Sequence, residues 1–124
     1  MPITYKIDHN ARFVDAKFDG HLTRHDIEEF ADAVVGAGAL PYRKLIDGRT
    51  AHGTYNDTDV MALGARLSAY ATMGKRGALA LVPASEKWVE LIDRLLNLGK
   101  EGRPAKAFLS IDEARKWLAA QPED

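Results

Sequence analysis

Thr58 stands between two acids, Asp57 and Asp59, where an apolar-periodic stretch begins. A hydroxyl at a helix N-terminus is open to a kinase, and the phosphate it gains would meet free N–H groups and the positive end of the helix dipole. That phosphate would also bring a charge of about −1.5 to −2 between two carboxylates that repel it. The same residues have a plainer use, because Thr58 or Asp57 can simply cap the helix. Asp47 ends the run Leu45-Ile46-Asp47, and parallel α/β sheets collect ligands beyond the carboxyl ends of their strands. An Asp in that place otherwise hydrogen-bonds the backbone of the loop after it, which here starts Gly48-Arg49.

The remaining reactive side chains form no recognisable machinery. His21 and His25 have H-x-x-x-H spacing, but two histidines share a zinc only from one helical face. With Thr23 as N-cap, His21 falls outside the helix and no third ligand follows, so no metal site is expected. His9 and His52 are single, and nothing near them matches a nucleophile motif. Gly74-Lys75-Arg76-Gly77 lacks the frame of a phosphate loop and reads as a basic turn. A phosphate-accepting receiver would need a Lys after the last strand, where this chain has Leu109-Ser110. Arg66, Lys75, Arg76, Arg94, Lys100 and Arg103 can form a basic patch, diluted by Glu86, Glu90 and Glu101. There is no cysteine, hence no thiol nucleophile or thiolate metal site.

The elements that must position these residues are legible from periodicity. Ile3, Tyr5 and Ile7 alternate with polar neighbours, as do Val14, Ala16 and Phe18, and the intervening Asp8-His9-Asn10-Ala11-Arg12 makes a hairpin in which Asn10 suits a positive φ. From Thr23, a capping residue with Asp26 three positions on, the spacing of Ile27, Phe30, Ala31, Val34 and Val35 predicts a helix, which Gly36, Gly38 and Pro41 stop. A strand over 42–47 follows, then a helix opened by Asp57-Thr58-Asp59 with Val60, Leu63, Gly64, Leu67 and Ala71 inward. Ala78 to Val82 is apolar throughout, the mark of a strand covered on both faces. Ser85 caps a third helix with core positions Trp88, Leu91, Ile92, Leu95 and Leu98. A strand near 105–109 and a final helix after the S-x-x-E box Ser110–Glu113 complete the order ββαβαβαβα. Strands joined through helices run parallel, so residues 1–124 are expected to form one α/β domain. Its single mixed sheet has five strands, and the first alone is antiparallel. The second helix carries small residues on several faces, among them Ala62, Gly64, Ala65, Ser68 and Ala69. Close packing is their simplest purpose, and room for an apolar ligand is the alternative.

Composition agrees with a folded globular chain. In 124 residues, 17 Lys+Arg oppose 18 Asp+Glu, so no charge excess points to nucleic acid. No apolar run reaches the roughly 18 residues that span a bilayer. The opening Met1-Pro2-Ile3-Thr4-Tyr5-Lys6 lacks the basic-then-apolar order of a signal peptide, and the expected location is the cytoplasm.

This order, with particular residues, resembles the STAS family of bacterial anti-sigma-factor antagonists and its SpoIIAA-like relatives. Phe18-Asp19-Gly20-His21-Leu22-Thr23 is similar to the family's turn into its first helix, and Leu45-Ile46-Asp47 to the end of its central strand. Asp57-Thr58 resembles the Asp-Ser pair phosphorylated in the antagonists, although the family's Asp-Ser-Ser-Gly turn is replaced by Asn56-Asp57-Thr58-Asp59. The resemblance implies a non-enzymatic regulatory module without a cofactor, binding a protein partner such as a kinase, a sigma-regulatory factor or a second copy of itself. Thr58 is then the phosphoacceptor, and Asp47, Arg49 and Asp57 shape the partner-binding loop. The SpoIIAA-like branch is also grouped with lipid-binding SEC14-type domains, which makes an apolar-ligand or lipid-binding domain the alternative.

Overall fold

The computed structural model describes residues 2–98 and 103–121. Its elements are β1 (Ile3–Asp8), β2 (Phe13–His21), α1 (Arg24–Gly36), β3 (Arg43–His52), α2 (Asp57–Ala71), β4 (Leu79–Val82), α3 (Glu86–Leu98), β5 (Ala105–Ala107) and α4 (Ile111–Ala119). They build one five-stranded sheet in the order β1-β2-β3-β4-β5. β1 pairs antiparallel with β2, and every later pair is parallel. The α/β class, the ββαβαβαβα order and the lone antiparallel strand are as the sequence predicts.

Sequential strand order decides where the helices go. Parallel strands are joined by right-handed crossovers, so strands added in one direction send every crossover to the same face. Accordingly α1 packs Phe30 and Val34 on Val14, Ala16, Phe18 and Ile46, and Leu79, Leu81 and Ile92 belong to the same cluster. α4 follows the last strand, is free of that rule, and packs Ala114 and Leu118 on the opposite face against Leu45, Ala80 and Val82. The capping chemistry reads as expected at α1, where Thr23 and Asp26 exchange hydrogen bonds of 2.9 and 3.1 Å. At α4 only half the predicted box forms, Ser110 Oγ accepting from the Glu113 N–H at 3.4 Å.

Three local expectations need correction. The residue with positive φ in the first hairpin is Arg12 (φ 54°), not Asn10. Asp8 accepts from the Ala11 N–H at 2.9 Å, which tightens the turn, and Arg12 then lies over the Tyr42 ring at 5.1 Å. The α2 N-cap is Asn56, neither Asp57 nor Thr58; Asn56 Oδ1 accepts from the Asp59 N–H and Asp59 returns the bond to the Asn56 N–H. β3 runs past Asp47 to His52, because β2 also continues to His21 and the two strands keep pairing there.

The turn before β4 is held by close backbone approach. The Gly77 N–H donates to the Leu40 carbonyl at 3.0 Å, and a Cβ on Gly77 would land on the Tyr42 carbonyl. Gly77→Ala is therefore expected to destabilise the chain by ~2–4 kcal/mol, since backbone on both sides must shift. Thermal or urea unfolding of the two chains measures this; an unchanged midpoint contradicts the packing described.

Candidate functional site

α1, α2 and α3 share one face of the sheet, and they do not close on it. α2 has α1 and α3 as its principal neighbours rather than a strand. Between it and the sheet is a cavity of about 340 Å³. Its floor is made by Phe18, Ile46, Leu79 and Leu81 of the strands, its walls by Phe30 and Val34 of α1 and by Trp88 and Ile92 of α3. Its roof is made by Val60, Leu63 and Leu67 of α2, which were expected to face inward, and by Tyr70, which was not; Gly64 and Ala71, also expected inward, do not line it. Of the other core positions predicted for α3, the side chains of Leu91, Leu95 and Leu98 lie outside the described residues.

The small residues of α2 are not what brings it close to anything. Ala65, Ser68 and Ala69 are exposed, and a Cβ on Gly64 would meet nothing within 4 Å. Ion pairs at the rim hold the helix instead. Arg66 reaches Asp32 at 2.7 Å and Glu28 at 3.4 Å, Tyr70 donates to Asp32 at 2.8 Å, and Arg24 lies 3.7 Å from Asp59. At the other end of the opening, Tyr55 donates to the Leu22 carbonyl at 3.0 Å, and the ring of His52 lies 5.5 Å from that of His21.

The buried polar residues among those described are three cations, Lys44, Arg76 and Arg103. Lys44 and Arg103 line the cavity. Lys44 Nζ donates to the carbonyls of Leu40 and Tyr42, each at 2.6 Å. Burial, reinforced by the charges of Arg103 and Arg76, pulls its pKa down to about 7. Burial and the charge of Arg76 likewise depress Arg103, to about 10. Arg103 Nε and Nη2 have no hydrogen-bond partner at all. Two members of the basic surface patch anticipated from sequence are thus inside the molecule, and Arg66 is committed to Glu28 and Asp32. The side chain of Arg94 and the whole of Lys100 lie outside the described residues. Sequence reasoning missed Lys44, although a signal exists: it shares the strand parity of Ile46, so it had to point into the core.

The residues named in advance do not form one surface. Asp47 and Arg49 project from the α4 face of β3. Arg49 donates to both carboxylate oxygens at 3.0 and 2.9 Å, and its N–H adds a third bond at 3.1 Å. These bonds, with Lys17 nearby, hold the Asp47 carboxyl below its usual range, and Asp112 of α4 also acts on Arg49. Asp47 satisfies the following backbone, as expected, but from within a strand. The strand bulges there: Lys17 pairs with Asp47 and Asp19 with Thr50, so β3 has one more residue than β2. Asp57 and Thr58 belong to the exposed first turn of α2, on the other side of the sheet. His25 pairs with Glu29 at 2.9 Å, while the ring of His21 has that of His52 beside it. Among the described residues no three histidines or carboxylates converge as a metal site would require. No helix among them is long and apolar enough to cross a membrane.

Comparison with known proteins yields a fold. No family model matches the chain, and no curated protein does. Among solved structures it is similar to an uncharacterised protein of the DUF3478 family, with a SpoIIAA-like fold, from Shewanella loihica PV-4. The TM-score is 0.63 at 20% identity, over 94% of this chain and 93% of that one. The fold is therefore SpoIIAA-like, as the sequence resemblance implied.

Lys44 has a direct consequence for stability. The unfolded lysine titrates near 10.4 and the folded one at about 7, so between those values the unfolded chain binds more protons. Stability is expected to rise as pH goes from 7 toward 9, and Lys44→Met should flatten that rise. Melting temperatures of both chains at pH 7 and 9 decide it; parallel curves would contradict a buried, depressed Lys44.

Proposed function

We propose that this chain is a non-enzymatic binding module of SpoIIAA-like fold that takes a small apolar molecule into the cavity beneath α2. The carrying observation is the cavity of about 340 Å³, inside the ~300–1,000 Å³ range of small-molecule sites. Protein interiors normally fill to the density of organic crystals, so a space of this size kept open by Leu, Ile, Phe and Trp side chains calls for an occupant. Water is a poor one, because an ordered water needs two to four polar partners and these walls offer few. The apolar-ligand reading therefore stands ahead of a purely regulatory one.

Binding of a neutral apolar fluorophore tests it. Delipidated protein is expected to raise the fluorescence of N-phenyl-1-naphthylamine saturably, with one site per chain. Leu63→Trp, which fills the roof of the cavity, should weaken that binding at least tenfold while far-UV dichroism stays unchanged. Absence of saturable binding by the unaltered chain would refute the reading.

A protein-interaction role is the second reading, supported by the outer surface of α2. Thr58 is exposed in its first turn, beside Asp57, and one turn on Met61 is 74% exposed. Large apolar side chains offered to solvent suit a partner surface when they cluster with a modifiable residue. In this reading Thr58 is the phosphoacceptor, while Asp47 and Arg49 make a separate contact from the α4 face. Mass spectrometry of the chain recovered from its native cells should then find phosphate on Thr58, and partner recovery should differ between Thr58→Ala and Thr58→Glu. An unmodified Thr58 with equal recovery would remove the idea.

A further inference from the structure

Arg103 stands just before β5, only 6% exposed, with Nε and Nη2 unpartnered. A buried guanidinium normally has a carboxylate or several carbonyls around it, because an ion out of water without a partner is strongly unfavourable. The charges acting on it and on Lys44 are instead other cations: Arg76 on Arg103, and both arginines on Lys44. The acids that line or border the cavity are engaged elsewhere, Glu28 and Asp32 holding Arg66 at the rim. Lys44 is only partly satisfied, since its two acceptors are neutral carbonyls. The interior of this site thus has positive charge with no negative counterpart among the described residues.

Both unpartnered donors are shut off from solvent in the ligand-free chain. Nε–H and one Nη2–H form a single edge of the guanidinium plane, and two parallel donors on that edge match the two oxygens of a carboxylate or two oxygens of a phosphate. Lys44, lining the same cavity, supplies a further charge. Most of the remaining lining is apolar, Leu63, Leu67, Leu81 and Trp88 among it.

We propose that the cavity's ligand is an amphipathic anion, whose carboxylate or phosphate monoester pairs with Arg103 once the guanidinium turns its closed-off Nε–Nη2 edge toward the cavity, and whose hydrocarbon tail lies under α2. This rests on the apolar-ligand reading and adds the head group to it. Binding replaces an unpaired buried cation with a charge-assisted, two-pronged hydrogen bond in a low-dielectric site, where such bonds are strong. The ligand therefore completes the interior of the fold as well as occupying it.

Three probes with one tail separate the possibilities: decanoate, decyl phosphate and decanol, each titrated into delipidated protein at pH 6 by displacement of N-phenyl-1-naphthylamine. At least one anion is expected to bind tenfold or more tightly than decanol, and the preferred anion identifies the head group. In Arg103→Met the anion-to-alcohol ratio should fall to about one. In Arg103→Lys, which keeps the charge and loses the paired donors, the ratio should lie between the two. The ligand-free Arg103→Met chain should also melt at a higher temperature, because an unpaired buried charge is gone. Equal affinities for decanol and both anions in the unaltered chain would overturn the proposal and leave the apolar-ligand reading standing. An anion preference that survives both substitutions would overturn it too. Binding of none of the three would sink both.

Discussion

The handedness of the crossovers governs this molecule. Each of α1, α2 and α3 joins two neighbouring parallel strands, and the strands are laid down in a single direction from β2 to β5. Right-handed connections then have no choice but to crowd three helices onto one face. α1 settles on the long β2–β3 ladder through Phe30 and Val34. α2 is left between two helices with little strand surface to itself, and its apolar stripe looks into a cavity instead of onto a floor. The C-terminal helix α4, released from the rule, seals the opposite face, where Leu45, Ala80, Val82 and Leu118 are almost wholly inaccessible. One sheet thereby has a closed side and an open one.

Polar chemistry follows the same division. On the open side, charges near the surface are matched: Arg66 with Glu28 and Asp32, Arg24 with Asp59. These exposed pairs are individually weak, ~0.2–1 kcal/mol each, so α2 is held by contacts that water and salt can compete with. Deeper in, Lys44 and Arg103 line a mostly apolar cavity whose one acid among the described residues, Glu28, is held by Arg66. On the closed side, Asp47 and Arg49 satisfy each other and the local backbone, so their geometry is explained without any partner.

Local signals in the chain were read well where one residue type dictates one backbone outcome. Thr23 with Asp26 caps α1, Gly38 takes positive φ (73°) after it, and the alternation of Val14, Ala16 and Phe18 turns those side chains to one face. The departures from local expectation share one physical origin. Asp47 was expected at a strand end because an acid followed by glycine usually marks one, but pairing with residues 19–21 of β2 carries β3 onward to His52. Asp57 or Thr58 was expected to cap α2, and Asn56 does so, since three adjacent residues are all competent caps and only the chain's approach chooses. Basic residues spaced along the sequence suggested a surface patch, and burial of Arg76 and Arg103 could not be anticipated from their spacing.

By itself the amino-acid order determined the element types, the single antiparallel strand and the inward faces of α1 and α2, because these depend on periodicities of two and 3.6 residues and on caps a few positions apart. Tertiary structure alone decided that the strands add in sequence order, that a cavity remains under α2, and that Lys44 and Arg103 meet inside it. Those outcomes depend on contacts between residues tens of positions apart, such as Lys44 and Arg103, whose proximity no local pattern encodes. A cation in a strand is legible as a letter; whether it has a counter-charge is settled only when the chain has closed around it.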